Sequence, residues 1–343
     1  MKRHKICKII FAILAVFLCV AFYELIGICI TYKKQPAVSD ATIKETQNIM
    51  SVAGKENTER AVIIEKNSQA LLERVRLIQN AKDEIILSTF AFKSDESGKL
   101  ILGALHDAAD RGVHVRILVD GMESWIDMEG NPYFYGLSSH ENVEIKLYNK
   151  ANPLKPWKTM GRMHDKYLIA DGKIYILGGR NTYNYFLGDF PGHKNFDRDV
   201  LVVCDEPQKD NSVNQLWNYF ETIWEQEDCR YFHNSKKLAD RQSVKNAVLE
   251  LQEGYQQYFE VNKEKICDTD YADETFETEK ITLLSNPIHT QAKEPVVWYQ
   301  LGELMKNAKE RVKIHTPYII CNDMMYNTSV SYTHLRAHET KAN

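Results

Sequence analysis

Residues 163–181 read MHDKYLIADGKIYILGGRN, and the spacing within them decides how the rest of the chain is read. His164, Asp165 and Lys166 precede two short apolar runs, 167–170 and 173–177, joined at Asp171-Gly172, a dipeptide that favours a tight hairpin turn. On a strand, residues i and i+2 share a face. His164 and Lys166 are therefore expected to project together, with Asp165 turned away. An imidazole can attack phosphorus, and an ammonium beside it can stabilise charge on phosphoryl oxygens. Asp171 lies five residues beyond Lys166, in the turn, where it serves either as a turn aspartate or in catalysis. Gly178 and Gly179 leave room for a phosphate to approach the backbone, and Asn181 offers an amide donor. Of the eleven histidines in the chain, only His164 has a lysine two positions on.

The 343 residues suffice for one large or two ordinary domains with a sizeable core. With 26% charged residues and a net charge of −4, the chain has no bulk attraction for nucleic acid, although a local basic groove stays compatible with these totals. The seven cysteines form no CxxC pair, so neither a zinc site nor a thioredoxin-like redox site is indicated.

The N-terminus is the clearest physical feature. KRHK and Lys8 precede an apolar run over residues 9–32, which ends at Lys33-Lys34. As a helix it would span about 36 Å, enough for a bilayer core of about 30 Å with some tilt. A cleavable signal peptide is the competing reading, but its apolar region normally holds about 7–15 residues. Residues 1–34 are accordingly expected to be a basic end and a transmembrane anchor, blemished only by Glu24. Four Lys/Arg before the run against two directly after it favour a cytoplasmic N-terminus in the cell membrane, with the following domain outside.

Residues 35–60 are polar and aperiodic and fit a tether. Beyond it, Ser68 is positioned to cap a helix with Leu71, Leu72, Val75 and Ile78 on one face, and residues 85–92 read as a buried strand. Leu100, Ile101, Ala104, Leu105 and Ala108 form a second helical stripe that Gly112 can end, and Val113, Val115, Ile117 and Val119 alternate as a strand stopping at Asp120-Gly121. Strands separated by helical crossovers imply an α/β fold with a mainly parallel sheet flanked by helices. Residues 200–203 read as a further strand. Val213, Leu216, Trp217, Phe220, Ile223 and Trp224 form one helical face, whose aromatics are expected in the core. Residues 61–231 make up this first half, and 232–279, helical and then acidic, a connection. LIQNAKDEIILST (77–89) aligns without gaps to LMKNAKERVKIHT (304–316), five of thirteen positions being identical, so a second half is expected to begin within 280–329.

RMHDKYLIADGKIYILGGRN resembles the first catalytic motif of bacterial cardiolipin synthases, within the phospholipase D superfamily. GGRN, FDRDVLVV (196–203) and LWNYFETIW are most similar to the C-type branch. Upstream, ALHDAADRGVHVRILVDG, and downstream, KIHTPYII (313–320), also resemble the family, so the likeness covers about residues 60–329. It implies a phospholipase D-like fold, pseudo-duplicated, with the second half incomplete in this chain. It also implies His164 as nucleophile, Lys166 as phosphate ligand, and Asn181 and the Gly179 backbone beside the phosphate. Family enzymes orient the nucleophilic histidine with a carboxylate roughly thirty residues on. Asp197 stands at that spacing, with Asp199 the alternative. Arg180 would meet either an anionic headgroup or a neighbouring acid. No metal or other cofactor is implied. The implied reaction passes through a phosphatidyl-histidine intermediate while a second histidine protonates the departing alcohol. The implied substrates are phosphatidylglycerol and phosphatidylethanolamine at a membrane, the alternative being hydrolysis of phospholipid or nucleic-acid phosphodiesters.

Such enzymes carry two H-x-K motifs. At the offset of the repeat, 304 − 77 = 227, the second would fall near residue 391, beyond Asn343. His315, His334 and His338 lack the lysine; His334 has Arg336, which is not equivalent. VSYTHLRAHET (330–340) matches, over eleven consecutive residues, the translation of the transposase end of a common sequencing adapter. The native sequence is therefore expected to end near Ser329, residues 330–343 to be an artefact, and the 343-residue chain to be inactive alone.

Overall fold

The computed structural model describes residues 2–51, 59–152, 154–233, 235–314 and 325–326. Its centre is a nine-stranded sheet. In chain order the strands are β1 (Arg60–Ile64), β2 (Glu84–Thr89), β3 (His114–Asp120), β4 (Val143–Tyr148), β5 (Tyr167–Ala170), β6 (Ile174–Gly178), β7 (Asp199–Val203), β8 (Cys229–Tyr231) and β9 (Phe276–Glu277), and they lie side by side as β8-β4-β3-β2-β5-β6-β7-β1-β9. Pairing is parallel only along β2-β3-β4 and antiparallel at the other junctions. The expectation of a mainly parallel sheet is corrected accordingly: the sheet is mixed. The parallel part is the part with helical crossovers. The hairpin at Asp171-Gly172 reverses the chain, and β7 and β1 continue that antiparallel run.

The helices are α1 (Lys2–Tyr32), α2 (Asp40–Ser51), α3 (Asn67–Asn80), α4 (Glu96–Asp110), α5 (Gly121–Asp127), α6 (Pro132–Ser138), α7 (Ser212–Trp224), α8 (Lys236–Ala239), α9 (Gln242–Cys267) and α10 (Val296–Asn307). Central strands are buried on both faces, and alternation assigns their side chains to two cores. Ile85, Leu87, Val115, Ile117 and Val119 face α3, α4, α6 and α9. Ile86, Leu118, Tyr167 and Ile169 face the other way, onto the apolar stripe of α7, where Val213, Leu216, Phe220, Ile223 and Trp224 are buried as expected.

Two segments are more ordered than their composition suggested. The polar stretch after α1 contains α2, whose Thr42 and Thr46 are buried. The stretch read as a connection contains α9, whose Val244, Ala247, Leu251 and Tyr255 are buried in the first core. A Cβ on Gly103 of α4 would lie 2.6 Å from the Leu251 carbonyl, so glycine is what lets α4 and α9 approach. Helix α10 ends at Asn307 as α3 ends at Asn80, the same offset of 227, and each is followed by an extended alanine whose N–H returns to the helix. The expected strand at 313–320 lies mostly outside the described residues, as do 330–343.

Candidate active site

The hairpin β5-β6 forms as the turn chemistry requires. Asp171 and Gly172 both take the left-handed region, φ 51° and 62°, which aspartate tolerates and glycine enters freely. Tyr167 of β5 pairs with Ser88 of β2, so residues 162–166 run on past the C-terminal end of β2. There they meet Phe90. The His164 ring packs edge-on against it with centroids 4.5 Å apart, Lys166 Nζ lies 5.1 Å from its centroid and the Arg162 guanidinium 5.0 Å. Alternation thus places 162, 164 and 166 on one face although regular pairing starts only at Tyr167. Asp165 points to the opposite side, where its carboxylate accepts from Tyr219 Oη at 2.8 Å. A cavity of about 380 Å³ is bounded by Arg162, His164, Lys166, Tyr219, Asn286 and Lys293, among others.

Electrostatics in this corner favour a neutral imidazole. His164 is exposed on one side, but its partial desolvation lowers the pKa below the usual histidine value, and the Lys166 ammonium adds to the effect. Burial also pulls Lys166 down, to about 8, against the opposing pull of Asp165, Asp197 and Asp120. Lys166 Nζ donates to the His164 carbonyl at 2.5 Å, which holds the head of the side chain beside the imidazole.

The other expected site residues divide. Asn181 is buried, and its Oδ1 accepts from Ala91 N at 3.2 Å. That bond fixes the amide plane and leaves Nδ2 to donate elsewhere. Asp171 does not join His164 and Lys166. It stands at the far end of β5, where its carboxylate accepts from the backbone N–H groups of Lys82, Asp83 and Glu84 at 2.9, 2.8 and 2.9 Å. Asp197 makes no hydrogen bond to the His164 ring; its Oδ1 accepts from Arg198 N at 2.7 Å. Asp199 is fully buried between Arg74 and Arg180, at 2.9 and 3.2 Å. Arg180 is equally buried and also donates to Asn67 Oδ1 and the carbonyls of Ile64 and Glu65, so of its two readings the neighbouring acid holds.

The glycines also have a packing role. A Cβ on Gly178 would lie 2.0 Å from Asp199 Oδ1, and one on Gly179 2.0 Å from Asp197 Oδ2. Their missing side chains make room for two carboxylates.

Sequence reasoning passed over Asp120 and Arg162. Asp120 ends β3, is buried, caps α5 through Met122 N and Glu123 N, and pairs with Arg162 at 2.6 Å. It supplies the leading carboxylate influence on His164. The period-two alternation through Arg162 was a usable signal. The proximity of Asp120, 44 positions upstream of His164, was not.

Residues 75–224 match the family model described as cardiolipin synthase, PLD-like domain. Among curated proteins the chain is 27% identical over 292 residues to an uncharacterised protein of Helicobacter pylori (strain ATCC 700392 / 26695), covering 77% of this chain and 55% of that one. It is 29% identical over 154 residues to cardiolipin synthase C of Escherichia coli (strain K12), covering 41% of this chain and 31% of the other. Among solved structures it is similar to phosphatidylserine synthase of Haemophilus influenzae Rd KW20, at 16% identity and a TM-score of 0.44, covering 64% of this chain and 48% of that one. Residues 75–224 are thus similar to the PLD-like domain of cardiolipin synthases. The chain spans about half the length, or less, of these curated relatives.

Proposed function

We propose that this chain carries the nucleophile-bearing half of a membrane-anchored phosphatidyltransferase of cardiolipin-synthase type. The observation that carries the reading is the convergence of His164 and Lys166 on Phe90, beside a cavity, with the imidazole biased towards its neutral form. His164 attacks the phosphorus of a phosphatidyl donor. An N–P bond forms and the P–O bond to the departing alcohol breaks, that alcohol taking its proton from a histidine of a second H-x-K motif. Lys166 and the Asn181 amide balance charge on the phosphoryl oxygens. The hydroxyl of a phosphatidylglycerol then attacks phosphorus, passes its proton back to the second histidine and frees His164. Asp197, beside Gly179, orients the site from the Lys166 side. Helix α1 crosses the membrane, its N-terminus cytoplasmic, and confines the domain to the surface that holds its substrates.

The test is product analysis in phosphatidylglycerol vesicles, with and without phosphatidylethanolamine, on a protein carrying this chain joined to a second half. Cardiolipin should appear, and His164→Ala should lower its rate by on the order of 10³-fold or more. Phosphatidic acid without cardiolipin would assign a hydrolase instead. Undiminished activity of His164→Ala would remove the nucleophile assignment.

A further inference from the structure

Helix α1 does not stand apart from the domain along its whole length. Residues 6–23 are exposed, whereas Glu24, Gly27, Ile28, Thr31 and Tyr32, which share one helical face, are partly covered. The cover begins with the loop after β4. Tyr23 Oη donates to the Leu154 carbonyl at 3.4 Å, Thr159 Oγ1 donates to Glu24 Oε2 at 3.1 Å, and a Cβ on Gly27 would lie 2.6 Å from the Pro156 ring. The apolar residues 9–23 before Glu24 would span about 22 Å, most of the hydrocarbon thickness of a bilayer. The helix therefore meets the domain over the last turns of its apolar run, where it approaches the headgroup level.

At that level the domain exposes apolar and cationic side chains together. Leu154, Trp157 and Met160 are 76%, 41% and 57% exposed, and the neighbouring helix α5 exposes Trp125 and Ile126 at 63% and 67%. Lys150 and Lys155 are exposed among them. Single exposed apolar residues need no explanation, but a group containing two tryptophans beside a candidate membrane span does. Tryptophan and lysine at the end of a span are the side chains that sit at the headgroup level of an anionic bilayer. This surface is also the edge that carries the site. Because β2, β3 and β4 are parallel, Phe90, α5 and the loop 154–160 all follow strand ends on one side of the sheet, where His164 and Lys166 enter β5.

We propose that α5 and residues 154–160 form an interfacial seat that rests on an anionic bilayer surface and holds the His164 site at the depth of the lipid phosphates, an inference that rests on α1 being the membrane anchor. The experiment is tryptophan emission of the whole chain reconstituted in mixed phosphatidylglycerol and phosphatidylcholine vesicles, with bromine on the acyl chains close to the headgroup. Trp224 is buried and Trp217 and Trp298 are partly covered, so the quenched emission should come from Trp125 and Trp157. Trp125→Tyr with Trp157→Tyr, two exposed and conservative changes, should abolish most of the quenching. Equal quenching with and without those tryptophans overturns the seat. Lys150→Glu with Lys155→Glu should weaken quenching in the mixed vesicles but not in phosphatidylcholine alone; no change in the mixed vesicles overturns the anionic preference. Alkaline carbonate extraction separates the seat from the anchor. A chain retained in the membrane without quenching of Trp125 and Trp157 keeps the anchor and loses the seat, whereas a released chain whose tryptophans were quenched at neutral pH keeps the seat and loses the anchor.

Discussion

Burial holds the Lys166 ammonium at a pKa of about 8, so its charge is lost in a range where an exposed lysine keeps it. If that charge stabilises the phosphoryl oxygens, kcat/KM of the assembled enzyme should fall as pH rises through about 8, while the depressed His164 keeps the nucleophile neutral down to below the ordinary histidine range. Stability runs the other way. Between about 8 and the ordinary lysine value the unfolded chain binds the extra proton, so the fold gains stability as pH rises through that window. A pH profile of kcat/KM that stays level across this range would separate Lys166 from the chemistry. His164 and Lys166 were legible in the sequence because their joint projection needs only the period of two. The use made of Asp171 was not, because the three amides that donate to it belong to the turn into β2 and to its first residue, nearly ninety positions upstream.

At the level of elements, the strands of the site are locked by charge as well as by ladders. Asp199 at the start of β7 faces Arg74 of α3 and Arg180 after β6, all three excluded from water. A buried ion group adds little over an apolar core of equal fit, but breaking one leaves uncompensated charge. Asp199→Ala would strand two guanidinium groups and should cost about 3–5 kcal/mol, lowering Tm by on the order of 10 °C. A calorimetric loss below about 1 kcal/mol would show that water or a neighbour replaces the carboxylate. The same elements explain GGRN. Gly178 and Gly179 are dictated by the approach of Asp199 and Asp197 from the adjoining segment, a constraint that lies in the strand pairing and leaves no trace in local periodicity.

Over the whole molecule, the placement of α9 sets the extent of the first half. Leu251 is 1% exposed and packs with Tyr255 against α4, although it stands in a stretch that reads as a link. Leu251→Ala should cost about 2–5 kcal/mol in chemical denaturation; a cost below about 1 kcal/mol would return α9 to the role of a linker. The amino-acid sequence by itself determined helices α3, α4 and α7 and strands β2, β3, β5, β6 and β7 of the first half, the hairpin at Asp171-Gly172, the shared face of His164 and Lys166, and the long apolar N-terminal helix. Each of these follows from periodicity or turn chemistry within a few residues of chain. Tertiary structure alone decided that the sheet is mixed, that α9 belongs to the core, that Asp171 serves the backbone and the glycines two carboxylates, and that Asp120 and Arg162 stand beside His164. Those depend on which distant segments come within a few ångströms of each other, and close approach is a property of packing that no local pattern encodes.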